Sequence, residues 1–170
     1  MSNTILSVEG LRVQFSLRGK VLNAIRDVSL TLEKGESLAI VGESGSGKSV
    51  LCKTFMGLLD ANGSITAGHI WFGGEDLTQY TTEKQWLGIR GKKIAMVMQD
   101  PMTSLNPLKT VGAQITEAVV LHQGLSGEAA RAETVRILGD VGITDPERRY
   151  KQYPHEFSGG MRQRVMIAMA

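Results

Sequence analysis

A chain of 170 residues with 42% hydrophobic and 21% charged side chains can bury a real core and has the balance of an ordinary globular domain. Its formal net charge of +2 gives no ground for nucleic-acid binding, though local basic sites can still take anions. One cysteine, Cys52, excludes an internal disulfide and a cysteine-based zinc or iron–sulfur site. Met1 to Gly10 lacks the pattern of a secretory signal, and the longest apolar runs fall far short of the ~20 residues that span a bilayer, so any membrane role is expected to be peripheral.

In chain order, Leu6, Val8, Leu11, Val13 and Phe15 alternate with polar residues, with a slip near Gly10, and predict one or two β-strands. Val28, Leu30 and Leu32 predict another, and Glu33 to Glu36 a turn. Leu38-Ala39-Ile40-Val41 is wholly apolar, the pattern of a parallel strand buried on both faces. It runs into a glycine-rich stretch, Gly42 to Gly47, after which Lys48 to Leu59 reads as helix. A strand around Ile65 to Trp71, a short helix over Thr81 to Arg90 and a second buried strand, Ile94 to Met98, follow. Asp100 to Pro107 holds two prolines and an Asn-Pro pair and predicts a loop. Val111 to Leu121, Glu128 to Val141 and Met161 to Ala170 read as helices. The pattern predicts an α/β core, with N-terminal strands and a mostly helical insertion after Gln99.

Gly42-Glu43-Ser44-Gly45-Ser46-Gly47-Lys48-Ser49 fits G-x-x-x-x-G-K-[ST] between an apolar strand and a helix. Glycines let backbone N–H groups of Gly42, Ser44, Gly45, Ser46 and Gly47 curl around phosphates, and the following helix start, Lys48, Ser49 and Val50, favours an anion. Lys48 can reach β- and γ-phosphates and the Ser49 hydroxyl can ligate Mg²⁺. The glycine spacing and the Lys-Ser pair argue for a nucleoside triphosphate rather than a dinucleotide. A glycine-rich turn with a nearby lysine is the bland alternative.

The phosphate loop does not say which nucleotide enzyme this is. Phe157-Ser158-Gly159-Gly160-Met161-Arg162-Gln163-Arg164 resembles the signature of ABC ATPases, with Met161 where the general pattern has glutamine. Alone, these residues would read as a serine-capped helix start. The resemblance implies that Ser158, Gly159 and Gly160 close over the γ-phosphate of a second subunit, identical or sister, in a head-to-tail dimer. It gives Gln99 the role of contacting Mg²⁺ and the attacking water, and Phe15 that of a ring stacked on adenine; a plain strand-end glutamine and a core phenylalanine are the alternatives.

The stretch from Arg90 to Pro107 and that from Tyr153 to Arg164 resemble most the ATP-binding subunits of oligopeptide, dipeptide and nickel importers. That resemblance implies a peripheral subunit at the cytoplasmic face of the membrane. Its partners would be transmembrane permease subunits and, indirectly, an extracytoplasmic substrate-binding protein. It also implies a strand ending in Asp and Glu, and later a histidine, that would follow the signature helix. These positions are not among the 170 residues, so the chain is expected to be part of a longer ATPase, an ATP-binding core over 1–99 and a helical subdomain over 100–170, inactive in hydrolysis alone. A soluble ABC ATPase acting on nucleic acid or the ribosome, and a non-hydrolysing binding module, are the rival readings. His155, Trp71 and Trp86 are expected to pack or hydrogen-bond locally, and His69 and His122 lack partners at metal-ligand spacing.

Overall fold

In the computed structural model, which describes residues 3–99 and 104–170, the apolar alternation beginning at Leu6 folds as one strand, β1 (Thr4–Leu17). It forms an antiparallel hairpin with β2 (Lys20–Glu33), closed at Arg18 and Gly19 with positive φ. On its other side lies β3 (Gly63–Phe72), which pairs in turn with the short β4 (Glu75–Asp76), so the sheet order is β2-β1-β3-β4. The slip near Gly10 is a bulge: Val8 and Leu11 pair with Leu30 and Val28, three residues against two. Gly68 faces it with φ +88, and a Cβ there would lie 2.5 Å from the carbonyl oxygens of Glu9 and Gly10. Only a glycine lets β3 follow the bulge at that distance. Leu6, Val8, Leu11, Val13, Ile25 and Ile70 are buried, and so is Leu51 of α1 (Lys48–Thr54), which packs on β2.

Helix α1 is shorter than the expected Lys48 to Leu59. Gly57 turns into the left-handed region at φ +60, with the Trp86 ring laid on it. Arg90 donates from Nε to the Met56 carbonyl (2.7 Å) and from Nη2 to that of Gly57 (3.0 Å). The acceptors left over just beyond the helix are thus taken by a cation, and the turn is stopped there. Trp86 belongs to α2 (Glu83–Leu87), where it meets the Tyr80 ring edge-on at 5.2 Å and the Arg90 guanidinium at 5.4 Å.

Two expectations need correction. Leu38 to Val41 is not a buried parallel strand: it makes no ladder, and Val41 is 87% exposed. Ile94 to Met98 makes only an isolated bridge at Ile94, and Val97 and Met98 are exposed. The reason is the same in both places. Parallel strands are held by neighbours on each side, and among the described residues no strand lies beside either segment.

The chain divides at Arg90 and Gly91 into two units. The second is helical: α3 (Val111–Gln123), α4 (Gly127–Asp140), α5 (Pro146–Tyr150) and α6 (Gly159–Met169). Thr110 caps α3 by accepting from the Ala113 N–H. Val111, Ile115 and Val119 of α3 recur every four residues, Ala130 and Leu138 of α4 stand eight apart, and all five meet Val165 and Met166 of α6 in one core. Thr134 is buried within it, donating to the Ala130 carbonyl at 2.8 Å and bonding the Thr116 hydroxyl at 2.9 Å. Tyr150 closes this group at 3.1 Å from Thr116 and lies against Gly112, where a Cβ would be 2.4 Å from its ring. Among the described residues, no helix is long and apolar enough to cross a membrane. Asp100, Pro101, Met102 and Thr103 of the expected loop lie outside the described residues.

Candidate functional site

The glycine-rich loop of the first unit closes around Lys48. Its ammonium donates to the carbonyl oxygens of Gly42 and Glu43, each at 2.7 Å, and to the Ser46 hydroxyl at 3.3 Å. A turn bond from the Ser46 N–H to the Glu43 carbonyl (3.2 Å) tightens the loop. Three glycines make this possible in different ways. A Cβ on Gly42 would stand 2.8 Å from the Ser46 hydroxyl, and Gly45 has φ +82 in open space. Gly47, at φ +93, sits so close to β2 that a Cβ would meet the Ala24 carbonyl at 2.6 Å and the Ile25 side chain at 2.9 Å. The loop is therefore pressed against the sheet at its C-terminal end and open to solvent elsewhere.

Gly47 is also the residue preceding α1, and no side chain caps that helix. The N–H groups of Lys48, Ser49 and Val50 open the helix, where no preceding carbonyl is available within it. Ser49 is exposed and Val50 half-buried. An ammonium, a run of backbone donors and an exposed hydroxyl, all within one curl of chain, form a donor set suited to a polyphosphate. The hydroxyl adds a hard oxygen ligand of the kind Mg²⁺ takes. Among the described residues, no cluster of three or more His, Cys, Asp or Glu could hold a metal ion.

Phe15, in the same unit, is half-buried on β1 opposite Leu22 and Gly63. A Cβ on Gly63 would lie 2.6 Å from its Cε1 atom, so the ring covers that glycine. Phe15 is two residues beyond Val13, which pairs with Ile25, the residue Gly47 touches. Gln99 belongs to the second unit and is exposed at a bend.

The signature residues begin α6. Ser158 is its N-cap and accepts from the Met161 N–H at 3.3 Å. Added Cβ atoms on Gly159 and Gly160 would meet nothing within 4 Å, so this helix start is bare backbone facing solvent. Phe157 just before it is buried in the helical core, and Met161 packs against that core. Met161 thus serves as an apolar anchor where the general signature has a polar side chain. His155 stacks on Tyr153 at 5.8 Å, a local packing role as expected.

Sequence patterns did not point to Gln114. Buried on the inner side of α3, it accepts from the Asn106 N–H at 2.8 Å and donates to the Asn106 and Lys109 carbonyls at 3.1 Å each. It pins the described end of the loop that includes Ser104 to Pro107. Its signal was a polar residue three positions after Val111, on a face otherwise apolar. Arg90 and Arg164 were also missed, since a long side chain can reach a carbonyl many residues away.

Residues 25–170 match the family model described as ABC transporter. Curated relatives include the oligopeptide transport ATP-binding protein AmiE of Streptococcus pneumoniae, 54% identical over 99% of this chain and 47% of its own length. The dipeptide transport ATP-binding protein DppD of Bacillus subtilis is 52% identical over 98% of this chain and 50% of its own. The chain spans about half the length of the curated relatives it matches. Among solved structures, the ATP-binding cassette MJ0796, seen as a dimer in a post-hydrolysis state with ADP and Pi, superposes with a TM-score of 0.82 at 25% identity. That match covers 96% of this chain and 68% of the other.

Proposed function

This chain belongs to the ABC transporter family and has its P-loop ATPase fold, with an antiparallel sheet and a helical subdomain, and from that premise we propose that it is the ATP-binding part of a peptide importer. The observation that carries the proposal is the loop closed on Lys48 and pressed to β2 at Gly47, in a chain that also exposes the bare helix start at Ser158 to Gly160. Residues 1–99 would form the ATP-binding core and 100–170 the helical subdomain.

In this reading the loop N–H groups and Lys48 bind the β- and γ-phosphates, and Phe15 stacks on the adenine. Ser49 and Gln99 would hold Mg²⁺, which when bound supplies charge neutralisation between those phosphates. Gln99 also orients the attacking water. Ser158, Gly159 and Gly160 approach the γ-phosphate bound by a second subunit, so ATP favours the closed dimer by binding it more tightly than the open one. Closure drives a permease, and hydrolysis reopens the pair at the cytoplasmic face of the membrane. The AmiE and DppD relatives, named as oligopeptide and dipeptide transport proteins, support a peptide cargo, and the dimer of the MJ0796 cassette supports the paired arrangement.

The test is a titration with a fluorescent ATP analogue. Lys48→Ala should weaken binding by at least about tenfold, because it removes the ammonium that meets the phosphate charge. Unchanged affinity would overturn the phosphate-loop assignment. Copurification with apolar permease subunits, rather than with nucleic acid, tests the transport reading.

A further inference from the structure

Arg164 lies on α6, and its guanidinium leaves its own helix. Nη1 donates to the carbonyl oxygens of Val141, at 2.9 Å, and Gly142, at 3.2 Å. Val141 is the residue that ends α4, so a cation stands where that helix presents unsatisfied carbonyls and partial negative charge. Gly142 has φ +75, and a Cβ there would fall 2.2 Å from the same nitrogen. The glycine is the seat of the guanidinium, and any side chain would unseat it.

These bonds join the two walls of one open cleft of about 300 Å³. Gly142, Ile143 and Thr144 form one wall; Ser158, Gly160 and Met161, with Arg164, form the other. Ile143 and Phe157 are buried and fix each wall to the helical core. Among the described residues, no other hydrogen bond joins residues 141–144 to residues 158–164.

We propose that Arg164 is a positioning residue for the signature. By holding the α4–α5 loop, it sets where Ser158 to Gly160 stand when they meet a nucleotide on a second subunit. The inference rests on the paired-subunit reading above. Arg164 is itself exposed. Water can therefore replace its bonds when it is removed, and overall stability should change little while the wall geometry relaxes.

The experiment measures two constants for the protein in ATP and Mg²⁺: affinity for a fluorescent ATP analogue, and ATP-dependent dimerisation by sedimentation. Arg164→Ala should leave nucleotide affinity within about twofold and weaken dimerisation by about tenfold. Gly142→Ala should do the same, and the double variant should be no worse than either alone, since both lose one contact. Arg164→Lys should recover most of the loss, because an ammonium can still donate to both carbonyls. Wild-type dimerisation in Arg164→Ala would overturn the inference, as would multiplied effects in the double variant or a loss that tracks melting temperature across the set. A wild-type protein that stays monomeric in ATP would remove the paired-subunit reading, and this inference with it.

Discussion

Gly47 and Asp76 show two ways in which one residue holds the first unit. Gly47 combines positive φ with a backbone approach to Ala24 that leaves no room for a methyl group. Gly47→Ala should cost about 1–3 kcal/mol, read from urea unfolding, and should lower nucleotide affinity by displacing the loop from β2. Asp76 is partly buried, which pushes its carboxyl pKa up; hydrogen bonds from His69, Thr78 and the Ile70 N–H outweigh this and hold it below its ordinary 3.8. A carboxyl depressed on folding stabilises above its unfolded pKa and loses that contribution as pH falls through the folded one. Asp76→Asn should therefore flatten the fall in stability below about pH 4, measured by denaturant unfolding at successive pH values. At this scale the phosphate loop was legible because its residue types are forced by backbone geometry. Arg90 and Arg164 were not, because their targets lie 34 and 23 residues away and local spacing does not encode them; Gln114, whose partners lie within eight residues, left only a polar break in an apolar face.

Elements with one buried face and a regular period were read well. Val111, Ile115 and Val119 share one face of α3, and the alternation in β1 survived its bulge because Gly68 and Ser29 absorb the extra residue. Ile115 is fully buried among α3, α4 and α6. Ile115→Ala should cost about 2–5 kcal/mol and lower the melting temperature accordingly, without altering the first unit's affinity for nucleotide. The runs Leu38 to Val41 and Ile94 to Met98 misled for a definite reason. A continuous apolar run reports that a segment seeks burial on two faces, but not whether partners are present to provide it.

For the molecule as a whole, the paired-subunit proposal makes its own demand. Gly160→Trp should leave nucleotide binding to the isolated subunit intact and abolish the ATP-dependent dimer in size-exclusion chromatography; a dimer that persists would refute it. The bulge at Glu9 and Gly10 has a further consequence, in time rather than in space. β1 and β2 are sequence neighbours, and such a hairpin can form in about 1–10 μs. β3 reaches β1 only after the segment from Lys34 to Asn62 has closed, and the phosphate loop and α1 lie within that segment. The loop is held to β2 at Gly47, and the segment that carries it is expected to be anchored at its far end only when Gly68 meets the bulge. In a refolding experiment, Gly68→Ala should delay recovery of nucleotide binding well beyond recovery of the hairpin's circular dichroism signal, although the substituted residue lies outside the loop.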